Sequence, residues 1–553
     1  MKKRAFITLV TAALLTACTG TEVTTPTEKP AIATEADLVR RIARLASDEF
    51  EGRAPGTKGG IAASQYIADE MKAAGLKPMG TNGTYFQPVE LTSATVQDGS
   101  TLQIMSGASI LVDSDQSTNS VFWTKRLDEN VKVEDSEMVF VGYGTVAPEF
   151  GWDDYAGVDV KGKTVVMLVN DPGFATGDDD LFKGQSMTYY GRWTYKYEEA
   201  ARQGAAAVLI VHETEPASYG WDVVSGSWTG EQFDLVRPDR GASRAAIEGW
   251  LHLDAANAVF EAAGLDLEDM KTKAKIKGFK PVPMGELKLS ADLTQTVKTT
   301  TSRNVAGGIM GTEFPDEYVL YMAHWDHLGM KDGEPGEDHI YNGAVDNATG
   351  TAAIIEIGEA FVQQGLPKRS AIFVAVTAEE SGLLGSAYYA EDPLVPLSQT
   401  VAGINIDAIQ PVGETKDIIV VGHGASELED RLKDVLDPRN MYIMPDTKPE
   451  AGFYYRSDHI SLAKKGVPML YADSGIDHVI NGTSYGEKFG EDYTRDRYHK
   501  PADEFDNSWD VSGIRNTTEI LFELGYGMAN SQDWPNWYEG TEFRTLRDEM
   551  RGK

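Results

Sequence analysis

Residues 318–327 read YVLYMAHWDH: six apolar residues in unbroken succession, then His324, Trp325, Asp326 and His327. Two more stretches repeat the design, AIFVAVTAEE at 371–380 and VAGINID at 401–407. Each is too short for a helix of ordinary length. Each is apolar without alternation, as a strand buried on both faces must be. Between and after them lie helical patterns over 349–364, 427–436 and 511–529, with further strand patterns at 304–309, 418–421 and 467–471. Strands alternating with helices predict an α/β fold, a β-sheet covered by helices on both sides. In such sheets ligands bind beyond the carboxyl ends of the strands, so the polar residues that close each apolar run are the ones to examine.

Those residues are His324, Asp326, Glu379, Glu380 and Asp407, joined by Asp346 in the turn GAVDNATG (343–350) and His499 in RYHKPADE (497–504). One such residue alone would be read as a cap or a surface group. Several on one sheet edge would place like charges together, and those repel unless a cation neutralises them. Cys18 is the only cysteine, so a multi-cysteine zinc site, an iron–sulfur cluster and an internal disulfide are excluded. A metal must then be held by imidazoles and carboxylates.

AHWDHLG, GAVDNATG, TAEESGLLGS, NIDAI, SDH and RYHKPADE stand in the order and near the spacing of the M28 di-zinc exopeptidases, which the chain resembles over about 36–95 and 298–553. The stretch LASDEFEGRAPGTKGG (45–60) belongs to the same likeness. The resemblance implies the zinc-dependent exopeptidase fold, a mixed β-sheet sandwiched by helices, and two Zn²⁺ ions. By position it implies that Asp346 bridges both metals, that His324 and Asp407 complete the first and that Glu380 and His499 complete the second. It makes Glu379 the general base and Asp326 a carboxylate that orients His324, and it implies a cis peptide between Asp346 and Asn347. The chemistry agrees: Zn²⁺ accepts nitrogen and carboxylate oxygen, and a carboxylate that is not a ligand can take the proton of a metal-activated water. The implied reaction is peptide hydrolysis by an aminopeptidase. Glutamate-carboxypeptidase-like or dipeptidase action, glutaminyl cyclisation and a non-catalytic binding role are the alternatives.

Between the two matched segments, residues 97–297 show short apolar runs (138–141, 164–169, 206–211) among Gly, Pro and Asp turns, with helical stretches near 195–203 and 254–263. This β-rich insertion resembles a protease-associated (PA) domain. Its aromatic run Tyr189-Tyr190-Gly191-Arg192-Trp193 either packs within the module or walls the cleft, and Tyr455 and Asp458 line the pocket unless Ser457 or Asp458 serves as the cap of the helix that follows. Competing motifs fail. His212-Glu213 is followed by Pro216 where a second histidine is needed, the glycines at 142 and 144 precede Pro148 rather than a helix, and Asp178-Asp179-Asp180 lacks the rest of a calcium loop. His327 and His459 lie within matched motifs without holding ligand positions, so packing or support of ligands is expected of them.

The outer regions of the chain carry their own signals. Lys2, Lys3 and Arg4 precede an apolar stretch over 5–15 and then Leu15-Thr16-Ala17-Cys18, which resembles a bacterial lipoprotein signal. The expected organisation is a signal peptide over 1–17, a Thr/Pro/Glu-rich tether over 18–35 and a peptidase domain in two segments, 36–96 and 298–553, with the PA-like insertion over 97–297 between them. That implies an exported protein of the bacterial cell envelope, attached through Cys18 to a membrane, the outer one by its likeness to sorted lipoproteins. With 51 basic and 85 acidic residues the net charge is −34, which repels phosphate backbones and excludes nucleic acid as a partner. A peptide is the expected substrate.

Overall fold

The computed structural model describes Met1, residues 32–331 and residues 336–552. Cys18, the basic start and all of the signal and tether between residues 2 and 31 lie outside the described residues. The first helix, Glu35–Leu45, is capped by Thr34 and buries Leu38, Ile42 and Leu45 on one face. The second, Lys58–Ala73, begins where Thr57 accepts a hydrogen bond from the Gly60 amide at 3.1 Å and gives way to Gly75 at φ 87°.

The central sheet is mixed. Arg369–Val376, Phe314–His324, Thr400–Asn405 and Met469–Ser474 run parallel as neighbours. Antiparallel strands flank them, Val282–Ile309 on one side and Asp417–Val421 on the other. The unbroken apolar runs have a direct cause. Val319, Tyr321 and Ala323 enter one core with the helices Gly350–Gln364 and Ser512–Ala529, whereas Leu320 and Met322 enter a second core with Tyr389 and Leu462 on the opposite face. Period-two side chains buried on both faces leave no polar position.

The β-rich module has its own sheet and two further cores. Asn130–Phe140, Thr164–Leu168, Ala207–Val211 and Ile247–Leu251 lie parallel, with Ser120–Trp123 antiparallel at one side. Val166 and Leu209 face one core; Val165 and Val208 face the other. The strand pattern at 304–309 is only the end of a much longer strand. Val282–Ile309 runs 28 residues, pairing first with Asn130–Phe140 and Thr101–Ser106, then with Phe86–Val96 and Arg369–Val376. Residue 297 lies inside it, so one continuous strand joins both sheets. The module also lends Glu231–Leu235 to the edge of the peptidase sheet, beside Phe86–Val96.

A helix and the sheet approach closely at Gly525, where a Cβ would overlap the Tyr321 hydroxyl, which donates to Leu521 O at 2.9 Å. Gly525→Ala is expected to destabilise the fold by about 1–3 kcal/mol through overpacking. Denaturant unfolding checks this, and adding Tyr321→Phe should restore some of the loss.

Candidate metal centre

Strand register assembles the site. His324 is level with Val376, and Met322 with Asn405, so His324, the Glu379-Glu380 pair and Asp407 emerge together at the carboxyl ends of three adjacent parallel strands. Asp346 reaches them from the turn Ala344–Thr349 that feeds the helix Gly350–Gln364, and the Asp346–Asn347 peptide is cis. His324 Nε2 lies 3.1 Å from both Asp346 Oδ1 and Asp407 Oδ1. His499 Nε2 lies 3.4 Å from Asp346 Oδ2 and 3.2 Å from Glu380 Oε2. The five side chains expected to ligate therefore meet, with Asp346 in the middle.

Buried polar groups hold them there. The Arg53 guanidinium, completely buried, donates to four carbonyls: Trp325 O at 2.7 Å, Leu45 O at 2.7 Å, Asn342 O at 2.5 Å and Gly343 O at 2.9 Å. It thus ties the loop after His324 to the loop before Asp346. The Asp503 carboxylate accepts from the amides of Val345 at 3.1 Å and Asp346 at 3.2 Å. Asn347 donates to Ile406 O at 2.9 Å and accepts from the Ala408 amide at 3.1 Å, joining the Asp346 and Asp407 loops. Ser457 donates to Asp407 Oδ2 at 2.5 Å. Asp326 Oδ1 accepts from the Glu379 amide at 3.1 Å and stands 3.9 Å from His324 Nδ1, so its firmer hold is on the Glu379 backbone.

The charges are unbalanced. Burial pushes the Glu379 carboxyl well above its usual range, and Glu380, Asp407 and Asp458 push it further. Burial also raises Asp326, to about 7. Burial disfavours a charged His324, yet Asp407 and Glu379 hold it well above the ordinary imidazole range. Arg53 is lowered to about 10 by burial, against the pull of Asp326 and Asp503, and keeps its charge at neutral pH. Burial opposes charge on Asp346 and Glu380 too, but His324 and His499 hold Asp346 well below the usual carboxylate range, and His499 and His327 hold Glu380 down at about 2. Glu380 Oε1 is buried without an aligned hydrogen bond, although His327 Nδ1 comes within 2.6 Å. His324, Asp346 and Asp407 bring ligand atoms within 4.8 Å of one another, as do His327, Asp346 and Glu380. The donor set, imidazole nitrogen and carboxylate oxygen, fits a divalent ion of borderline softness.

His327 is the residue that the sequence undervalued: it is buried, faces Glu380 and packs edge-on to His499 at 5.8 Å. Asp503 and Arg53 sit in matched motifs, but nothing in their spacing marks the contacts that they make. His459 packs between Tyr454 and Tyr471, fully buried. Ser457 is spent on Asp407, and Asp458 makes no side-chain cap to the helix His459–Ala463. Tyr189, Arg192, Trp193 and Tyr455 line the same cavity as His324, Asp346 and Glu379, so the aromatic run walls the cleft. Tyr190 instead packs inside the module against Phe182 and Tyr195. His252 and His478 accept amide hydrogen bonds in local turns.

Residues 304–525 match the model of peptidase family M28. In structure the chain resembles an aminopeptidase from Aneurinibacillus sp. strain AM-1, with a TM-score of 0.51 at 19% identity over 91% of this chain and 95% of the other, a likeness of fold. In sequence it is 38% identical over 140 residues to aminopeptidase NAALADL1 of Mus musculus and 34% identical over 129 residues to a glutamate carboxypeptidase 2 homologue of Caenorhabditis elegans. Those stretches are 24% and 22% of this chain but only 17% and 15% of the relatives.

Two outcomes follow from this geometry. Asp503→Ala should weaken metal retention about 10–100-fold, the usual effect of removing a group that orients a ligand, as read by competition with a chelator. His459 is held neutral by burial, down to about 3, whereas an unfolded histidine protonates near 6.5. Its contribution is complete above pH 6.5 and is lost as the pH falls, at about 1.4 kcal/mol per unit. Denaturant unfolding at pH 7 and pH 5 should show a smaller acid loss in His459→Leu than in the parent protein.

Proposed function

We propose that this chain is a zinc-dependent exopeptidase, an aminopeptidase that releases N-terminal residues from peptides. The observation that carries the reading is the pairing of Glu380, turned onto the ligand cluster, with Glu379, whose carboxylate accepts no hydrogen bond from the described residues and lines the cavity. His324, Asp346 and Asp407 would hold one zinc ion, and Asp346, Glu380 and His499 a second. Bound zinc polarises a carbonyl and lowers the pKa of water from 15.7 to about 7.

The protein's own groups do the rest. Burial and the neighbouring carboxylates raise the Glu379 pKa; with bound cations offsetting that, Glu379 would take a proton from the attacking water and return it to the leaving amine. Asp326 fixes the Glu379 backbone, and Arg53 and Asp503 fix the turns that present His324 and Asp346. A water nucleophile removes any need for a serine or cysteine. Retention of a base beside a full donor set favours hydrolysis over cyclisation or mere binding. Likeness to proteins named aminopeptidase and glutamate carboxypeptidase supports an exopeptidase and leaves the attacked end of the peptide to experiment.

We further assign the 97–297 insertion as a PA-like module and place the protein in the bacterial envelope. Its own two cores support the former. The basic start, the apolar stretch over 5–15 and Cys18 support export and lipid attachment, with the outer membrane as destination.

Glu379→Gln should keep its zinc by elemental analysis while turnover falls about 10²–10⁴-fold. Asp346→Ala should lose metal as well. Mass spectrometry of free-amine, N-acetylated and C-amidated peptides, with and without chelator, identifies the end attacked: an aminopeptidase loses cleavage on acetylation alone. Unchanged turnover in Glu379→Gln would overturn the assigned base.

A further inference from the structure

The strand Met469–Ser474 lies between Thr400–Asn405, which runs parallel to it and leads to Asp407, and the antiparallel Asp417–Val421. Its side chains alternate between two environments. Leu470 and Ala472 enter one core with Ile418 and Val420, whereas Tyr471 and Asp473 line the cavity of about 1840 Å³ into which the metal centre opens. Ile419 and Val421 line that cavity as well. Register makes these four residues one patch, for Ile419 is level with Asp473 and Val421 with Tyr471. Directly opposed residues of antiparallel strands stand about 4.5–5.5 Å apart. A single carboxylate is thus set in an apolar and aromatic wall.

That wall borders the metal centre. Asn405 is level with Tyr471, and two residues beyond each come Asp407, an expected ligand, and Asp473. The Gln410 amide donates to the Ser474 hydroxyl at 3.2 Å, so the loop that carries Asp407 stays beside the end of this strand. Neighbouring strands are about 4.8 Å apart, which puts Asp473 one strand away from the ligand cluster. Its carboxylate is incompletely used. Oδ1 accepts from the Ser474 amide at 2.6 Å and from the Ser474 hydroxyl at 3.3 Å, while Oδ2 accepts from none of the described residues, and no cation among them pairs with either oxygen. Other carboxylates of the same cavity are neutralised: Glu198 by Lys464 at 3.0 Å, Glu248 by Arg244 at 3.2 Å and Glu391 by Arg237 at 2.8 Å. Burial raises the Asp473 carboxyl to about 8, and Asp407 adds to the rise; a cation against it would reverse the shift.

We propose that Asp473, walled by Ile419, Val421 and Tyr471, is a specificity subsite for a cationic side chain, so that the favoured substrates are peptides with lysine or arginine at the scissile bond. The inference rests on the peptidase reading. The patch has the form that such a side chain needs, apolar surface for its methylene stem and a carboxylate for its charged head. A carboxylate kept from water and left unpaired is costly, and the substrate would bring the counter-charge that the chain itself does not. An aliphatic side chain would cover the wall but strand the carboxylate, and that difference is the source of discrimination. The cation has two sources, the first residue of the peptide or the second, on either side of the bond that an aminopeptidase cleaves.

Two peptide pairs separate the sources: Lys-Ala-Ala against norleucine-Ala-Ala, and Ala-Lys-Ala against Ala-norleucine-Ala. Norleucine keeps the stem of lysine without the ammonium, and both members of a pair carry the same α-ammonium, so its contacts cancel. Calorimetric binding to zinc-loaded Glu379→Gln protein, together with kcat and KM for the parent enzyme, gives the preference within each pair. The expected result is at least about a tenfold preference for lysine in one pair, from the worth of a charged hydrogen bond. It should fall toward one in Asp473→Asn, mainly through KM. Ile419→Lys, which sets a cation level with Asp473, should abolish the preference with the carboxylate still in place, so the test survives if either variant fails to fold. No preference in either pair, or a preference unchanged in a variant that folds, overturns the subsite. An equal loss of kcat/KM for all four peptides in Asp473→Asn, with the preference kept, overturns it too, because the carboxylate then serves the α-ammonium or the fold. Lysine-selective binding that depends on Asp473, without hydrolysis of any of the four peptides, would overturn the peptidase reading and uphold the subsite.

Discussion

Four carboxylates, Asp346, Glu379, Glu380 and Asp407, share a few ångströms of space at the end of a sheet whose strands are apolar up to that point. Their mutual repulsion, in surroundings too poor in water to screen it, is the constraint around which the rest is arranged. Imidazoles are interleaved with them, Glu379 is pushed toward its protonated form, and a divalent cation is the economical answer. The arrangement is also one that a fold must hold rigidly, because each of these groups would relax toward solvent if its loop could move.

Rigidity comes from buried donors and acceptors behind the site. Arg53 gathers four carbonyls from three loops, Asp503 takes two amides of the Asp346 turn, and Asn347 joins that turn to the Asp407 loop. These bonds are buried, so breaking any of them leaves polar atoms without water to replace the lost partner. The ligands thus belong to a preorganised frame.

The inserted module acts at a different level. It shares the strand Val282–Ile309 with the peptidase sheet, adds Glu231–Leu235 to that sheet's edge and places Tyr189, Arg192 and Trp193 over the cleft. The candidate ligands sit at the sheet edge, and the module supplies part of the wall of the same cavity.

The primary structure determined the strands and the residues that close them, since a run such as YVLYMA can be satisfied only between two apolar layers and the polar group after it must lie at the sheet edge. It also determined the helix start at Thr57, a local hydrogen-bond event. Other features were decided by the tertiary structure alone. The strand pattern at 304–309 proved to be the end of a strand beginning at Val282, whose earlier residues pair with strands of two sheets. His327 looks redundant beside His324 and Asp326 until the turn after the strand brings it to Glu380. Arg192 and Arg456 are 264 positions apart by their numbering and line one cavity only because the module folds against the peptidase sheet. The physical reason is range: capping and burial periodicity act over a few residues along the chain, whereas charge pairing and ligand convergence depend on distances in space that no spacing in the sequence encodes.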